Sequence, residues 1–209
     1  MSRNPESDEL ERALGAADPV PADRWNRILS GLAERAEAEG LIDVAYEMHD
    51  SPFGELLIGA TSAGLVRVGL AVQSQEEILR DLAERVSPRV LKASRPDISS
   101  ARRQLDEYFA GDRHRFDLNL DWRLSSGFRR EVLEATGHIP YGQTRTYRAV
   151  ATEAGSPNAV RAAGTALATN PLPIVVPCHR VLRTDGQVGA YLGGTSMKES
   201  LLALEGGAG

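Results

Sequence analysis

Cys178 and His179 are neighbours in sequence, and Cys178 is the only cysteine among 209 residues. A thiolate, not a thiol, is the nucleophile, and a free thiol is only a few per cent ionised at neutral pH. An adjacent imidazole can take the proton, directly or through a water. The imidazolium then needs a carboxylate to hold its tautomer and its charge. Glu205, near the C-terminus, is the candidate. Such a pair serves a hydrolase as well as a transferase. A lone cysteine is also commonly a small buried hydrophobe, so its surroundings must decide between a reactive and an inert thiol.

Those surroundings read as follows. Ile174-Val175-Val176 predicts a short buried strand that Pro177 ends, since proline cannot donate to a ladder. This places the thiol and imidazole at a strand end, beside a pocket wall. Upstream, Ser126 to Ile139 and Thr146 to Ala154 predict helices, the second stopped by Gly155. Ser156-Pro157 predicts the next start, with Ser as N-cap and Pro at the first position. This helix, Pro157 to Thr169, is nearly all small: Ala159, Ala162, Ala163, Gly164, Ala166 and Ala168, with Arg161 its one charge. Helix, Gly-Ser-Pro turn and small-residue helix suit a helix-turn-helix. Pattern alone supports a closely packed core helix equally well. Arg161 favours the groove-binding reading, because a cation in the first turn opposes the helix dipole. Asn170-Pro171-Leu172-Pro173 is a rigid connector. Val188 to Gly194 is a glycine-rich loop carrying Tyr191, and Ser196 with Glu199 predicts a capping box for a last helix with Met197, Leu201 and Leu204 on its apolar face.

The first half reads differently. Ile42 to Met48, Gly54 to Thr61 and Gly64 to Leu70 predict a three-stranded antiparallel meander. Gln75 to Val86 and Ala101 to Ala110 predict amphipathic helices, and Phe116 to Leu120 a further strand. The expected fold is α+β. Its parts are an acidic helical leader over 1–40, a small domain with an antiparallel sheet and helices over 41–121, and a mainly helical domain over 122–209. In the leader, Trp25, Ile28, Leu29 and Leu32 recur at helical spacing.

The net charge is −5, but it is unevenly spread: residues 123–209 hold nine Lys+Arg and six Asp+Glu, a balance of +3, and the remainder carries −8. The basic half can approach phosphates while the acidic half faces away. One cysteine excludes an internal disulfide and points to a reducing cytoplasm. Four scattered histidines with one cysteine make a poor zinc site, and no metal is expected. No apolar run reaches the length of a membrane span, and the polar, acidic start is not a signal peptide.

Pro177-Cys178-His179-Arg180-Val181 resembles the signature of the O6-alkylguanine-DNA alkyltransferases, the methylated-DNA–protein-cysteine methyltransferases. Ile139 to Tyr147 resembles that family's turn and tyrosine helix, and Ala159 to Gly164 its recognition helix. Asn170-Pro171-Leu172, Gly189 to Gly194 and Leu201 to Glu205 follow in the family's order. The likeness is strong over 123–206, looser over 41–121, and absent over 1–40.

The resemblance implies a ribonuclease-H-like first domain and a helix-turn-helix second domain. It implies repair by direct reversal, once per molecule and without a cofactor or metal, by a protein expected to be monomeric. The partner is duplex DNA, approached from the minor groove, with an alkylated guanine flipped into a pocket. Cys178 corresponds to the alkyl acceptor, His179 to a base acting through a water, and Glu205 to its holder. Tyr147 corresponds to the phenol that meets the guanine ring nitrogen. Arg161 corresponds to the residue that fills the vacated stack, with Ala159, Ala162, Ala163, Gly164 and Thr146 beside the DNA. Asn170 ties recognition helix to active-site loop. The backbones of Cys178 and Val181 read the guanine amino group, and Tyr191, Leu192 and Gly193 wall the pocket. Leu192 departs from the small residue usual in the family and is expected to narrow the alkyl pocket. A DNA-binding sensor or transcriptional regulator with weak transfer activity is the alternative reading, and a Cys-His hydrolase leaves the helix-turn-helix unexplained.

Overall fold

Short β-branched runs and glycine turns between residues 42 and 70 produce the sheet on which the first half is built. The computed structural model describes residues 39–206 and, before them, only positions 21, 24, 28, 31, 32, 35 and 36. Trp25 and Leu29, on which the amphipathic reading of the leader rests, lie outside the described residues. Strands β1 (Val44–His49), β2 (Leu56–Thr61) and β3 (Gly64–Gly69) form the expected antiparallel meander. A fourth strand, β4 (Val90–Lys92), adds parallel to β1, giving the order β3-β2-β1-β4. Three half-exposed residues carry too little alternation to announce a strand, so the sequence reading missed it.

Helix α1 (Gln75–Arg85) lies between β3 and β4 in sequence. The Ser74 hydroxyl caps it by accepting from the Glu77 N–H, and Ile78 and Leu82 are its buried residues. Val44, Leu57, Val66, Ile78, Leu82 and Leu124 make one core cluster under the sheet. Helix α2 (Pro96–Phe109) starts five residues earlier than expected, because Pro96 occupies its first turn. It buries Ile98, Ala101, Leu105 and Tyr108 at helical spacing. Its packing against β1, β2 and β3 directs Tyr108 into the molecule.

The expected strand over Phe116 to Leu120 does not form. The Gln104 side chain donates to the Asp117 carbonyl and accepts from the Asp117 N–H (2.8 and 2.7 Å), which consumes the ladder groups there. What remains is a single bridge, Leu65 to Leu120, with Leu65 N–H donating to Asn119 O and Asp121 N–H to Leu65 O, both at 2.8 Å.

Past a 3-10 turn (Trp122–Leu124), helix α3 (Gly127–Gly137) packs against α4 (Tyr147–Glu153) and α5 (Val160–Ala168). Helix α5 begins later than expected. Ala159 N–H donates to Ser156 O, so Ser156 to Ala159 is a turn with proline at its second position rather than a cap and first helical turn. The predicted strand at Ile174 is also a turn. Ile174 is fully buried with φ +72°, a conformation costly for a β-branched side chain, and Val176 N–H donates to Leu172 O. Two short strands pair in parallel, β5 (Arg145–Thr146) just before α4 and β6 (Val181–Leu182) after the Ile174 turn. Helix α6 (Gly194–Leu204) closes the described chain, starting two residues before Ser196. The expected capping box is absent because Gly193 holds the cap position, and Gly194, with φ +83°, turns the chain in.

Gly64 is a position where the sheet meets later chain closely. Its φ is +128°, and a Cβ there would sit 2.3 Å from the Asn119 carbonyl oxygen. Gly64→Ala is expected to cost about 2 kcal/mol or more from strain and overlap. That corresponds to a fall of roughly 5 °C in the unfolding midpoint, read by thermal denaturation.

Candidate active site and nucleic-acid interface

The Ile174 turn delivers Cys178 to the first position of a 3-10 turn (Cys178–Arg180), so three consecutive side chains of one signature point into the interior. Cys178, His179 and Arg180 are all buried. Burial pushes the Cys178 thiol up to about 11. The Asn170 hydrogen bond, the Lys198 charge and the Cys178 and His179 backbone N–H groups pull the other way. Asn170 Nδ2 donates to Sγ at 3.2 Å and to the Val176 carbonyl at 2.9 Å, while Asn170 Oδ1 accepts from Leu172 N–H at 2.9 Å. One buried amide therefore joins the end of α5, the Ile174 turn and the sulfur.

Glu205 is the acceptor for a ring of donors. Its Oε1 lies 2.9 Å from His179 Nε2, 2.7 Å from the Tyr108 hydroxyl and 2.8 Å from Arg180 Nη2. Its Oε2 takes Arg180 Nε at 2.8 Å and Gly142 N–H at 3.3 Å. Burial opposes the carboxylate charge, but the His179, Arg180 and Tyr108 hydrogen bonds overcome it and hold the carboxyl at about 2. Burial lowers the His179 pKa against the pull of Glu205. An ionised carboxylate only accepts, so His179 carries its proton on Nε2. Nδ1 is then the basic nitrogen; it is buried and meets no hydrogen-bond partner among the described residues.

The sequence reading did not single out three residues here: Tyr108, Arg180 and Lys198. Lys198 is fully buried on α6, donates to the Val181 carbonyl at 2.6 Å and stands 6.0 Å over the Tyr147 ring. Burial brings its pKa down to about 8, opposed by the Cys178 charge. One sequence signal for it was its place, i, i+4, before the buried Leu202 on a helix with an otherwise apolar inner face. Tyr108 carried no signal, since a tyrosine on an amphipathic helix 70 residues upstream reads as core.

Tyr147, the first residue of α4, is half-buried, and burial raises its phenol pKa. Its hydroxyl lies against Gly189, where a Cβ would come within 2.4 Å, and its ring faces Gly164 of α5. Thr146 caps α4, its hydroxyl accepting from Ala149 N–H at 3.1 Å. On α5, Arg161 and Ala162 are exposed, and Ala159 and Gly164 partly so. Ala163 is fully buried and presents no surface to a partner; its small size serves packing within the helix unit instead. Val181 is buried, its N–H donating to Cys178 O and its own carbonyl accepting from Lys198. Tyr191 stands edge-on to His179 at 6.4 Å between centroids, with its hydroxyl buried. Leu192 is half-buried beside it, and Gly193 packs so closely on Met197 that a Cβ would lie 2.2 Å from the sulfur.

The arrangement is thus a buried thiol, an imidazole with one free nitrogen and a carboxylate behind it, set beside a three-helix unit with an exposed arginine. Comparison with known proteins places that class. Residues 127–207 match the family model for the DNA binding domain of 6-O-methylguanine DNA methyltransferase, and residues 44–122 match that for its ribonuclease-like domain. The chain is 40% identical over 162 residues to a methylated-DNA–protein-cysteine methyltransferase of Mycolicibacterium paratuberculosis, covering 78% of this chain and 92% of the relative. It is 40% identical over 161 residues to the constitutive one of Bacillus subtilis, covering 77% and 94%. A crystal structure of Mycobacterium tuberculosis OGT in complex with DNA superposes with a TM-score of 0.66 at 36% identity, covering 77% of this chain and 92% of that one. The chain belongs to the 6-O-methylguanine DNA methyltransferase family. Among its described residues, no helix is long and apolar enough to cross a membrane.

Because the folded-state pKa of Glu205 lies below the ordinary carboxylate value, its stabilisation is complete above about pH 4.5 and is lost as pH falls toward 2. Glu205→Gln leaves the Arg180 charge without its carboxylate and is expected to cost about 3–5 kcal/mol at pH 7. In urea titrations, the gap between wild type and variant should narrow progressively below about pH 4.5; a gap constant with pH contradicts the assignment.

Proposed function

We propose that the protein repairs O6-alkylguanine in duplex DNA by moving the alkyl group irreversibly onto Cys178. One observation carries this reading: the His179–Glu205 bond through Nε2 leaves Nδ1 as a buried, unpaired base next in sequence to a thiol whose sulfur already receives the Asn170 amide. The Cys178 proton passes to His179 Nδ1, through a water. The thiolate attacks the alkyl carbon; the S–C bond forms and the C–O6 bond breaks, its electron pair staying on guanine. Tyr147 donates its phenolic proton to the ring nitrogen as that negative charge develops. Lys198, close to both Cys178 and Tyr147, supplies positive potential to the thiolate and to the phenolate left behind. The thioether has no good leaving group, so each molecule reacts once.

The exposed edge of α5 supports DNA contact, with Arg161 entering the stack where the flipped base was. The Cys178 and Val181 carbonyls are acceptors suited to the guanine amino group. Residues 122–209 then carry binding and transfer, and residues 41–121 support them. A reducing compartment such as the cytoplasm keeps the thiol free, and the closed site needs no cofactor or second copy. The weakly reacting sensor has no particular observation in its favour.

Incubation with a duplex bearing O6-methylguanine should add one methyl group to the intact protein by mass spectrometry. Cys178→Ala should abolish the increment; DNA binding with no increment in the wild type refutes the reading. Leu192 narrows the pocket wall, so wild type should react more slowly with benzylguanine than with methylguanine in DNA, and Leu192→Ser should bring the two rates together by about tenfold or more, an effect of roughly 1–3 kcal/mol. Equal wild-type rates refute the role of Leu192.

A further inference from the structure

Tyr108 sits on α2, far in sequence from every other group of the site, and is 1% exposed. Its ring is held by Phe109 and Phe116, with centroids at 5.5 and 5.3 Å, and by Tyr141 edge-on at 6.2 Å. Its hydroxyl donates to Glu205 Oε1 at 2.7 Å and lies 3.5 Å from His179 Nε2. Oε1 is the same oxygen that accepts the hydrogen bond from His179 Nε2–H.

We propose that Tyr108 is a positioning residue for alkyl transfer: its buried phenol fixes the Glu205 carboxylate and sets how strongly that carboxylate holds the His179 N–H. The proposal rests on the reading of His179 as the base. A carboxylate oxygen that accepts from three donors carries less free charge for each. With Tyr108 present, Glu205 orients the imidazole without drawing it to the imidazolium form, which cannot accept the thiol proton. Burial and the neighbouring Glu205 charge both keep the phenol protonated, so it is a permanent donor. The charged and titratable groups around His179 are Glu205 and Lys198 from α6, Arg180 and Cys178 from its own turn, Tyr108 from α2 and Tyr191 from the glycine-rich loop. Of these, Glu205 alone stabilises the imidazolium; Arg180 and Lys198 oppose it. Tyr108 weakens the one favourable partner.

The test is the pH dependence of single-turnover methyl transfer, paired with a histidine NMR titration of the DNA-free protein. In Tyr108→Phe the acid limb should move to higher pH by about half a unit or more, with the His179 titration moving the same way and the rate above the limb near wild type. Replacing Tyr108 by 3-fluorotyrosine keeps the packing and makes the phenol a stronger donor, so the limb should move to lower pH; this covers the case in which the Phe variant folds poorly. Tyr141→Phe removes a neighbouring phenol that bonds Leu204 O instead and should leave the limb in place. A Tyr108→Phe limb at the wild-type pH, with only the melting temperature changed, overturns the proposal alone. A wild type that transfers methyl with no acid limb, or none at all, overturns the reading of His179 and this inference with it.

Discussion

The carboxylate of Glu205 is the point on which the site depends. It gathers donors from three parts of the chain: Tyr108 on α2, Gly142 in the turn before α4, and His179 and Arg180 in the signature turn. A buried carboxylate survives only when such donors replace its water. The same geometry therefore holds the last helix, the signature turn and the first half of the molecule together, and fixes the histidine tautomer. Structure and reactivity are not separable here, because the groups that satisfy the charge are the groups that set the base.

The thiol shows the opposite balance. Its burial disfavours the thiolate, and the Asn170 amide, the backbone N–H groups and the Lys198 ammonium recover only part of that cost. Burial favours Cys178 as a protonated thiol, next in sequence to an imidazole whose Nδ1 is also buried. A nucleophile used once gains from this, since a standing thiolate is open to oxidation and stray alkylation. Lys198 is the counterpart: its charge is also disfavoured by burial, and the thiolate is what favours it. Forming one ion assists the other.

The meander, α1 and the helix-turn-helix were legible because each is a local pattern: alternation, helical spacing, or a glycine-proline stop. The misreadings have particular causes. Phe116 to Leu120 has strand composition, but Gln104 takes its backbone groups. Ile174 to Val176 has strand composition too, but Asn170 and the bond from Val176 to Leu172 bend it into a turn. Ser196 with Glu199 spells a cap, but Gly193 and Gly194 start the helix first. Gln104 acts from 13 residues away, whereas Asn170, Leu172, Gly193 and Gly194 lie within six residues and act through hydrogen bonding and backbone conformation that composition does not display.

The sequence by itself determined the chemistry available: one thiol, an adjoining imidazole, and a family signature with Tyr147, Arg161, Asn170 and Glu205 in order. These are matters of residue type and spacing, which survive without coordinates. Only the tertiary structure decided which nitrogen of His179 is free, that Ala163 belongs to the interior, and that Tyr108 and Lys198 belong to the site. Those depend on distances between residues up to 97 positions apart, and hydrogen-bond partnership and burial at that range are properties of the folded chain alone.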